Sequence, residues 1–314
     1  STFMAAIPYQ FYSILALFLI PIVAFGRHDF GFMAKAEEQA RLGLPQNISD
    51  DEAILVSDDK KVSPWNMILP LVILLGTILV MFVSWGFPFQ NIPGSKIRIA
   101  LTSGYLLASI VCMIMITAQK LMSFKETFDV FIGGIQKMGS VLVVVVLAWG
   151  VGSVCKDLGT SQFIVDSTLG LITPHVVPAL LFLVGVIISF ATGTSWGAMA
   201  ILLPIGINMA VGFGVSIPMT IGAVLSGCLF GDHCSPISDT TVMSAMAAGC
   251  DLLEHTRTQL PYAGIAALAS FVAYLILGFT NANIWIMLVV ALALLIVFYL
   301  LSCRLWGVKA AESK

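Results

Sequence analysis

Residues 230–241 read Phe-Gly-Asp-His-Cys-Ser-Pro-Ile-Ser-Asp-Thr-Thr, between the apolar helical stretches MTIGAVLSGCLF (219–230) and VMSAMAAGC (242–250). Two carboxylates (Asp232, Asp239), an imidazole (His233) and four hydroxyls (Ser235, Ser238, Thr240, Thr241) fall where Gly231 and Pro236 interrupt the helical pattern. A charge in hydrocarbon is costly and persists where a partner or a bound ion offsets the cost. Backbone leaves the helix at membrane depth only where protein or a water-filled cavity satisfies its freed polar groups. The pattern therefore predicts a discontinuous helix around a site for an ion or a proton.

The rest of the chain agrees with a membrane setting. Its 314 residues are 59% hydrophobic and 10% charged, with a mean hydropathy of +1.00, whereas a soluble domain carries about 25% charge. Several apolar runs exceed the ~20 residues that cross a bilayer. The fold class is all-α and polytopic. A net charge of −2 gives nucleic acid no footing. The cysteines, Cys112, Cys155, Cys228, Cys234, Cys250 and Cys303, form no CxxC pair and read as small buried thiols, not a disulfide framework. The chain opens on Ser1 without the basic lead of a signal peptide, and reads as part of a longer protein.

Plain spans are expected at 7–25, 65–87, 97–118, 139–155, 261–280 and 284–306. Residues 26–64 form a polar loop with a short amphipathic helix at AKAEEQARLG (34–43), and QNIPGS (90–95) makes a tight turn. Residues 126–138 read as an interfacial lead-in, 156–175 as mixed, and 251–260 as a polar loop. Two apolar segments, 177–191 and 196–211, each fall short of a full span and flank Thr192-Gly193-Thr194-Ser195, which predicts a re-entrant hairpin. Segments 217–230 and 240–250 make one broken crossing. Lys/Arg placement puts the 26–64 loop, Lys120, Lys125, Arg257, Arg304 and Lys309 inside, against Lys96, Arg98 and Lys156. The sum is about seven crossings plus one hairpin, with the N-terminus outside.

At the break, the first half-helix ends in free carbonyls suited to a cation, and the second begins in free amides. Ser238 or Asp239 is a natural N-cap there, and capping alone is the plain alternative for Asp239. Asp232 follows a helix end whose dipole disfavours an anion, so it calls for a cation or a proton. The tip Thr192-Gly193-Thr194-Ser195 offers the oxygens a hard cation prefers; its plain alternative is a small-residue packing patch. Asn208 reads as a helix–helix hydrogen bond, His175 as an interface residue, and Lys156-Asp157 as an ion pair at a span end. His233 with Cys228, Cys234 and Asp239 matches no closed zinc pattern, so no transition-metal site is expected.

Four stretches carry a resemblance: ILALFLIPIVAFGRHDFGFM (14–33), LAWGVGSVCKDLGTSQFI (147–164), FATGTSWGAMAILLPIGI (190–207) and GDHCSPISDTTVMSAMAAGCDLLEHTRTQLPYA (231–263). Together they resemble the NhaC-type sodium/proton antiporter family, within a superfamily of elevator-like ion carriers. The resemblance implies two inverted repeats, each with a hairpin and a broken helix, of which this chain supplies the second, C-terminal one. It divides the chain into scaffold-like spans (1–125), a transport-type repeat (126–260) and two terminal spans with a tail (261–314). It further implies a carrier, not an enzyme, in a prokaryotic plasma membrane, without cofactor, exchanging Na+ for H+, and of a kind often found as homodimers. Asp232 and Asp239 are then the competing ion and proton ligands, with Ser235, Ser238, Thr240, Thr194 and Ser195 coordinating or lining the site. Thr192, Gly193, Gly231, His233, Pro236, Thr241 and Asn208 support it, with Gly193, Gly231 and Pro236 keeping the helices broken. A Na+- and H+-coupled malate/lactate exchanger is the alternative, though no Arg sits in either break to clasp a carboxylate. An intramembrane hydrolase using His233 with Ser235 or Cys234 is the remote one.

Overall fold

The computed structural model describes residues 2–26, 28–42, 63–87, 90, 92–158, 173–248 and 250–307. The helices are α1 (Thr2–Ala6), α2 (Phe11–Gly26), α3 (Gly31–Arg41), α4 (Trp65–Ser84), α5 (Gly94–Ala118), α6 (Phe124–Asp157), α7 (Val177–Thr192), α8 (Ser195–Phe213), α9 (Ile217–Cys234), α10 (Asp239–Ala248), α11 (Leu252–Thr280) and α12 (Ile284–Trp306). Among the described residues the only β pairing is an isolated bridge between Phe30 and Gly307. Among the described residues six helices are long and apolar enough to cross a membrane: α4, α5, α7 with the turn before it (Pro174–Thr192), α8, α11 and α12. The chain is an all-α polytopic membrane protein.

It forms two compact units, residues 54–140 and residues 1–53 with 141–314. In the first, α4 and α5 pack side by side. Gly104 lets α5 approach the Leu74 carbonyl, and Asn66 and Gln119 exchange amide hydrogen bonds of 3.0 and 2.6 Å.

The second unit is centred on α9, α7 and α11. One face of α2, carrying Phe11, Tyr12, Leu15 and Leu19, is buried there, as the helical period predicts for residues one and two turns apart. Tyr274 of α11 is fully buried. Its ring meets Phe11 and Phe182 at 4.8 and 5.6 Å between centroids. Its hydroxyl donates to the Tyr9 carbonyl at 2.6 Å and lies 2.9 Å from Ser226 Oγ.

Helices α7 and α9 run parallel in near backbone contact. A Cβ added at Gly227 would collide with the Phe182 carbonyl, and one at Gly231 would fall 2.6 Å from the Val186 carbonyl oxygen. Small residues permit such close approach in apolar helix pairs. Ser189 Oγ crosses the seam to donate to the Cys228 carbonyl at 2.6 Å. Helix α8 returns antiparallel, with Gly206 against Leu181, Val224 and Thr220.

Several expectations are corrected. Residues 251–260 are not a loop: α11 is one helix, and Asp251 caps it by accepting from the Glu254 amide at 2.9 Å. That is the helix-start pattern of a short acidic residue followed three positions later by Glu. Residues 126–138 are not a separate lead-in, because α6 runs unbroken from Phe124 to Asp157. Helices α7 and α8, at 16 and 19 residues, outrun the halves read from hydropathy. Pro178 takes a first-turn position in α7, where its missing N–H has no intrahelical acceptor anyway. Gly231 does not end α9, which continues to Cys234. The amphipathic helix of the polar stretch is present as α3. The remainder of that stretch (43–62), part of the 90–95 turn, most of 156–175 and the tail beyond 307 lie outside the described residues.

One end of this unit is stapled across helices. Tyr262 Oη donates to Asp29 at 2.5 Å and accepts from the Phe30 amide at 3.2 Å, while Tyr299 Oη donates to the His28 carbonyl at 2.8 Å. These contacts gather the starts of the polar stretch and of α11 with the end of α12, the regions that the Lys/Arg count assigns to one side.

Candidate functional site

The hairpin tip is built by backbone rules. α7 stops at Gly193, whose φ of 66° is the left-handed conformation that ends many helices. Thr194 is extended and caps α8, its hydroxyl accepting from the Gly197 amide at 3.4 Å. α9 stops at Cys234. A short turn follows, with Ser235 N donating to the Asp232 carbonyl and Ser238 N to that of Ser235, and α10 starts at Asp239. Tip and break touch: a Cβ on Gly193 would lie 2.8 Å from Ile237 Cγ1 and 2.9 Å from Ile237 backbone.

Asp232 stands where they meet and is buried, at 8% exposure. Ser195 Oγ donates to its Oδ2 at 2.9 Å, and Ser238 Oγ donates to its Oδ1 at 2.7 Å. Thr240 Oγ1 lies 2.8 Å from Ser238 Oγ. Ser195 is the first residue of α8, and Ser238 immediately precedes α10. The carboxylate in the last turn of α9 is thus held by groups at the N-terminal ends of two other helices, whose partial positive charge offsets the unfavourable end of its own.

The other expected residues make contacts of their own. Ser235 Oγ donates to the Phe190 carbonyl at 2.8 Å. Thr241 Oγ1 lies 3.4 Å from the carbonyls of Asp232 and His233. Thr192 Oγ1 donates back to the Ile188 carbonyl at 2.8 Å. Pro236 lies within the break. Asp239 is exposed at the start of α10, outside the Asp232 cluster. Asn208 is half-buried on α8, about 20 Å along the helix from the tip at 1.5 Å per residue.

His233 faces away from the tip. Its Nδ1 is 2.8 Å from Tyr12 Oη, and its carbonyl accepts from Gln259 Nε2 at 3.1 Å. It lines a cavity of about 950 Å³ between α2, the end of α9, α10 and α11, which Asp232, Thr240, His255 and Gln259 also line. Tyr12, His255 and Gln259 were not expected here. The spacing of His255, Gln259 and Tyr262, four and then three residues, marks one helix face and was the available signal.

Two helix interruptions that converge on one buried carboxylate, within a polytopic helical protein, have the build of a membrane ion carrier. The chain matches the model of the Na+/H+ antiporter family over residues 1–279, and it belongs to that family. An uncharacterized protein of Haemophilus influenzae is 27% identical over 96% of this chain and 59% of its own length. The arginine/ornithine antiporter ArcD of Halobacterium salinarum is 32% identical over 48% of this chain and 32% of its own. A malate-2H(+)/Na(+)-lactate antiporter of Bacillus subtilis is 28% identical over 67% of this chain and 43% of its own. The chain therefore spans less than two thirds of the length of these relatives. No solved structure matches it with significance.

Proposed function

We propose that the protein is a secondary antiporter of a prokaryotic plasma membrane that exchanges Na+ for H+, with Asp232 as the carboxylate for which the two cations compete. The observation that carries this is the geometry of Asp232: buried, with each oxygen held by one serine hydroxyl, from Ser195 at the hairpin tip and Ser238 at the break. When Na+ binds, those hydroxyls rotate their protons elsewhere and turn lone pairs to the ion. The carboxylate and the hydroxyls of Ser195, Ser238 and Thr240 then offer the hard oxygens it prefers. When a proton binds instead, the carboxylate is neutral and its attraction for Na+ is lost. One anion that takes either cation, but not both, couples the two fluxes.

Ser235, Thr192, Thr194, Gly193, Pro236 and Thr241 frame this site without being needed as ligands, and Asp239 is a weaker candidate for the exchange itself. The test is Na+-dependent proton release from everted vesicles. Asp232→Asn abolishes it, and wild-type exchange in that variant would remove Asp232 from the mechanism. Organic-acid exchange is the second reading, favoured by the Bacillus subtilis relative's name; uptake of labelled malate and lactate into proteoliposomes separates the two.

A further inference from the structure

The 950 Å³ cavity beside Asp232 is far larger than a Na+ site requires. It falls at the upper end of the ~300–1,000 Å³ range of small-molecule pockets. Its wall is of two kinds. Leu17, Ile20, Val23 and Leu229 give it a hydrocarbon side, which a path for hydrated ions does not need. The other side carries Asp232, the imidazoles of His233 and His255 and a set of hydroxyl and amide groups, and no lysine or arginine lines it among the described residues.

The hydrogen-bond directions on that polar side decide what it can hold. Gln259 already donates an amide proton to the His233 carbonyl at 3.1 Å, which leaves its oxygen as an acceptor. Ser244 Oγ donates to the Thr240 carbonyl at 2.8 Å, Thr258 Oγ1 to the Glu254 carbonyl at 2.8 Å, and Tyr262 Oη to Asp29 at 2.5 Å. Ser238 Oγ donates to Asp232, so the Thr240 hydroxyl paired with it supplies its own proton to Ser238. These hydroxyl donors are thus committed within the protein, so their lone pairs and one carboxylate face a guest, beside the second amide proton of Gln259 and the rings of His233 and His255. Ser13, also on the wall, has a hydroxyl with no partner among the described residues. With Asp232 on the wall and no lysine or arginine beside it, the surface suits a guest that brings N–H donors and a positive charge over one that brings a second carboxylate.

We propose that this cavity binds an organic monocation, an amidinium, guanidinium or primary ammonium head on an apolar body, with the head toward Asp232 and the body against Leu17, Ile20 and Leu229. The inference rests on the reading of Asp232 as a cation-binding carboxylate. Benzamidinium, benzamide and benzoate are a matched probe series with nearly one shape and charges of plus one, zero and minus one.

Calorimetric titration of the purified protein in detergent will show benzamidinium binding at least tenfold more tightly than either isostere. Na+ will weaken it by competition. Ala16→Trp, which places an indole in the cavity from α2, will weaken benzamidinium at least tenfold and leave binding of radiolabelled Na+ in place. Benzoate binding as well as benzamidinium overturns the inference. So does benzamidinium binding that survives Ala16→Trp, or no benzamidinium binding by protein that still binds Na+. Should Ala16→Trp fail to fold, the charge series on the unaltered protein decides. Unchanged Na+ binding in Asp232→Asn is a different failure: it removes the sodium reading, and the charge series with Ala16→Trp still judges the cavity.

Discussion

Replacing Gly193 by alanine tests whether the meeting of tip and break controls the site. Two effects can be separated. The first is conformational: at a φ of 66° an L-residue costs about 1–2 kcal/mol relative to glycine. The second is steric. The new methyl would lie 2.8 Å from Ile237 Cγ1 and 2.9 Å from its backbone carbon and oxygen, and reaching ordinary contact requires a shift of roughly half an ångström. A shift of that size takes the 2.9 Å bond from Ser195 Oγ to Asp232 to the limit of hydrogen-bond geometry. Ser195 is also a proposed Na+ ligand, and displacing a group that supports a metal site costs about 10- to 100-fold in affinity, so half-saturating Na+ rises on that order. Gly214→Ala is the control. Gly214 has a φ of 68° but nothing within 4 Å of the added methyl, so it carries the conformational cost alone. In the vesicle assay Gly193→Ala loses Na+ affinity while Gly214→Ala keeps it, with both less heat-stable. Equal Na+ dependence in the two variants would refute the link between tip and site.

Ser195→Ala and Ser238→Ala each remove one proposed Na+ ligand beside Asp232 and should raise half-saturating Na+ about tenfold or more; 22Na+ uptake curves that overlay the wild type would contradict the assigned geometry. Asp239→Asn alters an exposed residue at a helix start, so Na+-dependent proton release should persist, with stability lower by about 0.3–1 kcal/mol; complete loss of exchange would return Asp239 to the ion site. Tyr274→Phe deletes a fully buried hydroxyl bonded to Tyr9 and Ser226, and thermal unfolding in detergent should show a loss of about 1–3 kcal/mol. A change within error there would mean that another donor replaces the hydroxyl.

The break and the hairpin tip were legible because polar residues in an apolar run have few reasons to exist. Asp232, Ser238 and Ser195 stood out by type, and the structure places them within hydrogen-bond reach. Two local misreadings share a cause. DLLEHTRTQL is polar enough to pass for a loop, yet Asp251 and Glu254 form a helix-start pair, and helical hydrogen bonding outweighs polarity. Gly231 resembles a helix breaker in sequence, but it brings α9 against the α7 backbone, which hydropathy does not reveal. Tyr12 and His233 meet across 221 positions, and no local pattern encodes such a pairing. Gln259 was obscured by the loop assignment around it.

At Gly227 the atom that an added methyl would strike is the carbonyl oxygen of Phe182, not a side chain. No amino-acid exchange at 182 can move that oxygen out of the way, since every residue type carries the same one. A genetic selection for revertants of a bulkier residue at 227 should therefore return glycine, or changes that reposition a whole helix, and never a compensating partner at 182. Along this seam the two helices answer to each other's main chain, and the usual exchange of volume between neighbouring positions is closed to them.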